Sequence, residues 1–320
     1  MNRGTVLISS TILLACYISN GQSKNIKVAQ DGSGNFKSVQ EAFNTIPLNN
    51  KTPVIVYIQN GIYKEKIHLD SSKNYVTIIG EDKFKTILTY DDHTGKLSPK
   101  GDTINTRTSW SFLLKADDFT AENISFVNDA GFTTGQAVAA EIDGDRAGFK
   151  NCRFIGFQDV LFTNNDNSRQ FYKNCYIEGT TDFIFGSATA WFEQCHIHSK
   201  KNSHITAAST PQSHPFGYIF NDCILTADTG LNGVSLGRPW RPFASVTYIH
   251  CYIGQHILPD GWRNWNNTDN YKTTRYAEYE NYGPGANPLK RVSWSHQLTD
   301  KEVQDFKFKN VFRSWEPNLE

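Results

Sequence analysis

The sequence predicts an all-β solenoid, a stack of short strands wound into coils, with a helix closing its amino-terminal end and a loop-rich tail packed against it. Three observations carry this prediction. First, five segments read alike: NCRF at 151–154, NCYI at 174–177, QCHI at 194–197, DCIL at 222–225 and HCYI at 250–253. Each has a polar residue, a cysteine, a further residue and then a large apolar one, and the cysteines lie 23, 20, 28 and 28 residues apart. Self-similarity at that period marks one supersecondary unit stacked on the next. Second, runs of four to eight residues rich in Val, Ile, Tyr and Phe alternate with turns along most of the chain. Third, no helical periodicity of useful length is found between Pro47 and Pro259. That excludes a βαβ architecture, in which crossover helices must alternate with strands.

The elements follow in order. Arg3 precedes an apolar stretch from Val6 to Ile18, followed by SNGQS. This is the pattern of a secretory signal peptide, residues 1–21, cleaved near Gly21; the apolar stretch is short for a membrane span. Leu13-Leu14-Ala15-Cys16 also resembles a bacterial lipobox, which would instead anchor the protein through a lipid on Cys16. Residues 22–320 are read as one domain. In IKVAQDGSGNFKSVQEAFNTI a strand leads through a Gly-rich turn into an amphipathic helix with Val39, Ala42, Phe43 and Ile46 on its apolar face. Such a helix suits a cap, because an open β-edge invites aggregation. TPVIVYIQ, YVTIIG, KTILTY, SFLLKA and AENISFVN are the next strands, and the cysteine-bearing strands continue to about residue 254. After Pro259 the chain turns aromatic and loop-rich. LTDKEVQDFKFKNVF then carries a mixed helical pattern, with Thr299 and Asp300 as caps. No Ser/Gly/Pro linker precedes it, so the tail is expected to pack back on the solenoid.

Lys+Arg and Asp+Glu both number 32, so the net charge is zero and no basic run suggests nucleic acid. A neutral monomer is expected. With Cys16 set aside, five cysteines remain, an odd number in an exported chain. Their periodic spacing favours small buried thiols at one inward position per coil, with a disulfide between adjacent coils left open. No CxxC, Cys/His cluster or HExxH is found, which argues against zinc.

The repeat also acts as a ruler. Asp159 lies seven residues after Cys152, and Asp182 seven after Cys175. If the units stack as β-coils, the two carboxylates occupy one place on neighbouring coils, with backbones roughly 5 Å apart. Two such acids cannot both ionise cheaply, and a pair with split pKa values can divide acid and nucleophile roles. Asp in a solenoid also serves in turns and side-chain ladders. Gln158 adjoins one acid, and Gln136 lies 23 residues before Asp159, about one coil. Two amide donors there suit an oxyanion hole, or a hydrogen-bonded ladder. Arg238, between Gly237 and Pro239, is a candidate to hold one Asp charged through a bidentate contact. It is off the seven-residue register and must arrive from a later coil.

VAQDGSGNFKSVQEA, NGIYKEKI, GQAVA, FQD, GTTDFIFG and LGRPW, in this order, resemble the pectin methylesterases (pectinesterases) from about Ile26 to beyond Trp294. WRPFA and YGPGANP look like those of bacterial secreted members. The resemblance implies a right-handed parallel β-helix that hydrolyses galacturonate methyl esters in pectin, with no metal or organic cofactor. It implies Asp182 as nucleophile and Asp159 as the acid that protonates methanol and then activates water. It further implies Gln136 and Gln158 as oxyanion donors and Arg238 as the partner of Asp182. Trp240, Phe157 and Trp262 would stack on sugar rings.

Two departures stand out: QDVLF where many members read QDTLY, and GTTDF where they read GTVDF. Phe162 deletes a hydroxyl and Thr181 adds one beside the nucleophile, so both bear on substrate preference. The polar segment from Asp91 to Trp110 either borders the cleft or is a solvated loop. The competing readings are a pectin-active lyase or glycoside hydrolase on the same fold, or a non-catalytic carbohydrate-binding solenoid. Two acids flanked by glutamines and aromatics suit acyl transfer better than either chain-cleaving chemistry.

Overall fold

A left-handed residue at the same corner of successive coils sets the architecture. Asn123, Asn151, Asn174, Gln194, Asp222 and His250 all have φ between 51° and 57°, a region that Asn and Asp tolerate better than most side chains. Each ends one strand and turns the chain into the next, which explains the polar residue that opens every repeated segment. The computed structural model describes residues 24–317; the apolar leader and Cys16 lie outside the described residues.

Among the described residues the strands form three parallel sheets of eleven, eight and seven strands, here sheets A, B and C. Successive strands go to A, B and C in turn, as in Ala147–Lys150, Arg153–Ile155 and Leu161–Thr163, before Arg169–Lys173 rejoins sheet A. This is the right-handed parallel β-helix that the resemblance implied, the handedness being that of parallel crossovers generally. Every strand segment named from sequence is present, and NGIYKEKI adds two more, Gly61–Lys64 and Ile67–Leu69.

Because each coil repeats the last in register, inward side chains stack on their own kind. Phe149, Tyr172, Phe192, Phe220 and Tyr248 are partners on successive strands of sheet A. Their rings lie nearly parallel, with centroids 5.0, 4.7, 4.5 and 4.5 Å apart. The five described cysteines form a parallel file at the A–B corner, and all five are unpaired, buried thiols. Each points at a carbonyl one coil back; Cys195 Sγ lies 3.4 Å from the Tyr172 oxygen and Cys223 Sγ 3.3 Å from that of Phe192. A small weak donor fits that narrow corner without a disulfide.

The first coil is closed by the helix Val39–Asn44, which buries Val39, Ala42 and Phe43. Ser38 accepts from the Glu41 amide. Glu65 accepts from the Val39 and Gln40 amides at 2.9 and 3.0 Å, so unpaired helix donors meet a carboxylate. At the other end the inward row of sheet A finishes on Glu278, beside Tyr248. Arg291 holds it through contacts of 2.7 and 3.0 Å, both side chains buried. The carboxy-terminal segment does not form one continuous helix. It makes a 3-10 turn at Glu302–Asp305 and a single α-turn at Phe308–Val311. The break lets Phe306, Phe308 and Phe312 cover Phe171, Trp191, Ile219 and Ile249 on the outer face of sheet A; apolar burial wins over helical continuity. The tail thus packs back on the solenoid as the sequence suggested. No described helix is long and apolar enough to cross a membrane.

The aromatic stack is expected to dominate stability. Phe192→Ala should cost about 3–5 kcal/mol, read as a lowered urea midpoint.

Candidate active site

The site grows from the corner between sheets B and C. Leu161 pairs with Ile184 and Phe162 with Phe185, an offset of 23 residues. The same offset carried two residues back aligns Asp159 with Asp182. Their φ values are 62° and 50°, a left-handed backbone that turns the chain from one sheet to the next. Backbone bonds hold them there: the Asp159 amide donates to Thr181 at 3.1 Å and that of Asp182 to His204 at 2.8 Å. The ladder spacing of about 4.8 Å per coil is therefore the spacing of the two acids' backbones. Gln136 and Gln158 pair by a parallel bridge one coil earlier, with the Ala137 amide donating to the Gln158 carbonyl at 3.1 Å.

Outward residues of sheet C build the floor. Phe162, Phe185 and Ala207 are partners on successive strands, and Glu141 precedes them in the same row. Arg238 follows the strand Ser235–Gly237, and its amide donates to the Thr206 carbonyl at 2.9 Å. Its side chain reaches back to Asp182, with Nε 3.0 Å from Oδ1 and Nη2 2.6 Å from Oδ2. Trp265 stacks on the same guanidinium at 4.2 Å. Both acids, both glutamines, Phe162, Phe185, Ala207 and Arg238, with Thr106, Arg107, Trp240 and Trp265, enclose a cleft of about 320 Å³; Glu141 lies beyond it.

Both carboxyls are almost fully buried, Asp159 at 9% exposure and Asp182 at 5%. Burial pushes the Asp159 carboxyl well above the usual range, and the charge of Asp182 pushes it further. Burial also raises Asp182, but there the Arg238 contacts oppose the rise. The pair therefore ionises in a definite order: Asp182 gives up its proton first and Asp159 holds its own. On the next rung His204 bonds Ser235 Oγ at 2.7 Å, and burial holds its imidazole down to about 4, so it is neutral at pH 7. An ionised carboxylate, a protonated acid beside it and two amides opening on one cleft form the equipment for nucleophilic attack on a carbonyl.

Not every sequence expectation lands in the cleft. Trp262 is completely buried and cannot stack on a sugar. Its bridge to Gly237 continues the inward row Leu161, Ile184, Thr206, Gly237, and its ring packs on Tyr276 at 4.4 Å. Three residues on, Trp265 occupies the cleft instead. DGWRNW contained both tryptophans, and only the coil register separates them. Phe157 lies on the flank rather than in the central cavity, edge-to-face with exposed Phe132 at 5.7 Å and under Lys200 at 4.1 Å. The segment from Asp91 to Trp110 borders the cleft: Thr106 and Arg107 line it, and the Thr94 amide donates to the Gln136 carbonyl at 2.9 Å. Lys66 and Lys96 pin its start to Asp92 at 2.8 and 3.0 Å. The Thr181 hydroxyl donates to Ser203 Oγ at 2.9 Å. Phe162 lies on Phe185 at 4.3 Å with Arg107 above it at 5.1 Å.

The profile of the Pectinesterase family matches residues 25–314. Pectinesterase 31 of Arabidopsis thaliana is 39% identical over 289 residues, covering 89% of this chain and 90% of its own. The solved pectin methylesterase from carrot superposes with a TM-score of 0.82 at 31% identity, over 90% of this chain and 92% of its own. A pectin methylesterase solved in complex with hexasaccharide VII gives a TM-score of 0.83 at 25% identity, over 93% of this chain and all of its own. The details that looked bacterial, WRPFA and YGPGANP, do not decide the affinity, since the first two of these relatives are plant proteins.

Proposed function

The chain belongs to the pectinesterase family and hydrolyses methyl esters of pectin, and we propose that it does so through Asp182 as nucleophile. The bidentate contact of Arg238 with Asp182 carries this reading. It orients one carboxylate and opposes the effect of burial on it, so that acid alone is poised to attack. Attack of Asp182 on the ester carbonyl forms a C–O bond and a tetrahedral oxyanion. The side-chain amides of Gln136 and Gln158 supply donors for that charge in a cleft walled by aromatic rings. Collapse expels methoxide, which takes the proton of Asp159 and leaves as methanol. The resulting mixed anhydride on Asp182 is hydrolysed by water, whose proton returns to Asp159 as the acid product departs. Trp240 and Trp265 offer ring faces on one wall of the cleft for pyranose rings.

The apolar stretch from Val6 to Ile18 supports export, to the periplasm or the medium, with Cys16 lipidation as the alternative. Mass spectrometry of the mature amino terminus distinguishes them: a start near Gln22 supports cleavage and release, and a lipidated Cys16 overturns it.

The enzyme should release methanol from highly methylated pectin without new reducing ends or unsaturated products. Asp182→Asn should lose essentially all of that activity while keeping the wild-type melting profile; undiminished methanol release would refute the nucleophile assignment. Gln158→Ala should lower kcat by about 10²–10³.

The rate should follow a bell in pH, rising as Asp182 ionises and falling as Asp159 loses its proton. Arg238→Gln removes the charge that opposes burial at Asp182, so the acid limb should move up by about 1–3 pH units. An acid limb unchanged in that variant would show that Asp182 does not govern it.

A further inference from the structure

Sheet B turns its outer face to solvent, away from the cleft on sheet C. Arg153, Tyr176 and His196 stand in register there on successive coils. Phe84, 61% exposed, reaches over the same file from the turn before Thr86–Tyr90. The Arg153 guanidinium is sandwiched, 4.9 Å from the Phe84 ring and 5.6 Å from that of Tyr176. Tyr176 meets His196 edge-to-face at 5.0 Å. Beside this file runs the left-handed corner, whose Asn151, Asn174 and Gln194 side chains wall a groove of about 580 Å³.

The charge balance of the groove is one-sided. Lys83 and Arg153 line it and, among the described residues, no carboxylate does. Lys83 bonds the Asn151 amide oxygen, and Arg153 bonds Ser125 Oγ at 3.2 Å. Neither cation forms an ion pair with a carboxylate among the described residues. Glu178, which accepts from the Tyr176 hydroxyl, is already paired with Lys200 at 2.9 Å. The exposed Phe84 ring suits the apolar face of a pyranose, and the amides suit its hydroxyls. A stacked guanidinium keeps in-plane N–H donors for a carboxylate. Arg153, Tyr176 and His196 stand on three successive coils, about 4.8 Å apart, so the file suits consecutive units of a polymer rather than a single small ligand.

We propose that this groove is a second polysaccharide site, separate from the catalytic cleft, that holds de-esterified, anionic stretches of galacturonan. The identity of the polymer rests on the pectin reading above; the charge and the stacked geometry are the groove's own. The enzyme's product is then also what anchors it, and the polymer is gripped on a face that the reaction does not use.

Affinity electrophoresis at low salt through gels containing fully de-esterified polygalacturonate tests this. The wild type should be retarded, and the paired variant Phe84→Ala, Arg153→Gln should bind about tenfold more weakly. The same variant should hydrolyse a short methylated oligogalacturonide at the wild-type rate. A neutral galactan should not retard either protein. Unchanged retardation in the paired variant overturns the proposal, as does equal retardation by the neutral galactan. Loss of retardation in Trp240→Ala but not in the paired variant overturns it too, because the catalytic cleft would then be the only binding site. A protein that binds polygalacturonate through the groove yet releases no methanol from pectin would refute the esterase mechanism and leave the groove standing.

Discussion

The hydrogen-bonded register between coils is the constraint on which everything else depends. Parallel ladders fix each residue of one coil about 4.8 Å from its counterpart on the next. Whatever a position is on one coil, its counterpart must tolerate a neighbour of the same kind. Inside sheet A this produces the stack of Phe149, Tyr172, Phe192, Phe220 and Tyr248, which buries large apolar faces with favourable ring geometry. At the A–B corner it produces a file of unpaired thiols. At the B–C corner the same rule brings two carboxylic acids together. Such a pair is unfavourable for folding and favours chemistry.

Two buried arginine–carboxylate pairs show how differently the fold uses one interaction. Arg291 with Glu278 closes the carboxy-terminal end of the core, both side chains out of solvent. There the acid takes an inward position that aromatic rings occupy on earlier coils, and its guanidinium partner keeps it from being an unpaired buried charge. Arg238 with Asp182 sits at the wall of an open cleft, covered on one side by Trp265. Burial strengthens the pair's mutual attraction, while the second acid, Asp159, gets no such partner. The asymmetry of the site therefore comes from one guanidinium delivered to one of two otherwise equivalent rungs. Glu141, an outward neighbour of Phe162 on the same sheet, shows what burial does to an acid at a looser distance from its cation. Arg107 is 4.0 Å away, and burial pushes the Glu141 carboxyl up to about 8.

The three outer faces have separate fates. Sheet A is covered by the carboxy-terminal tail, whose aromatic residues pack on Phe171 and Trp191. Sheet C carries the cleft, walled by Arg107 from an early loop and by Trp240 and Trp265 from late coils. Sheet B stays open, with Phe84 exposed above Arg153. A solenoid offers this separation because each face is a continuous surface built from one position in every coil.

The sequence by itself determined what is periodic. The cysteine spacing gave the coil, the coil aligned Asp159 with Asp182, and the ordered motifs pointed to the family. Periodic features are legible because a local repeat fixes both residue type and position. Tertiary structure decided what depends on the phase of a register or on contacts between distant coils. Trp262 and Trp265 are three residues apart and similar in context, yet the bridge to Gly237 sends one into the core and leaves the other on Arg238. Arg107 reaches the cleft from a segment with no repeat to measure it by. The carboxy-terminal helix pattern gave way to a broken path because the outer face of sheet A, invisible in the local sequence, offered its aromatic residues more burial than a continuous helix did. The distance from Arg238 to Asp182, 56 residues along the chain and 2.6 Å in space, exists only once the coils between them have stacked.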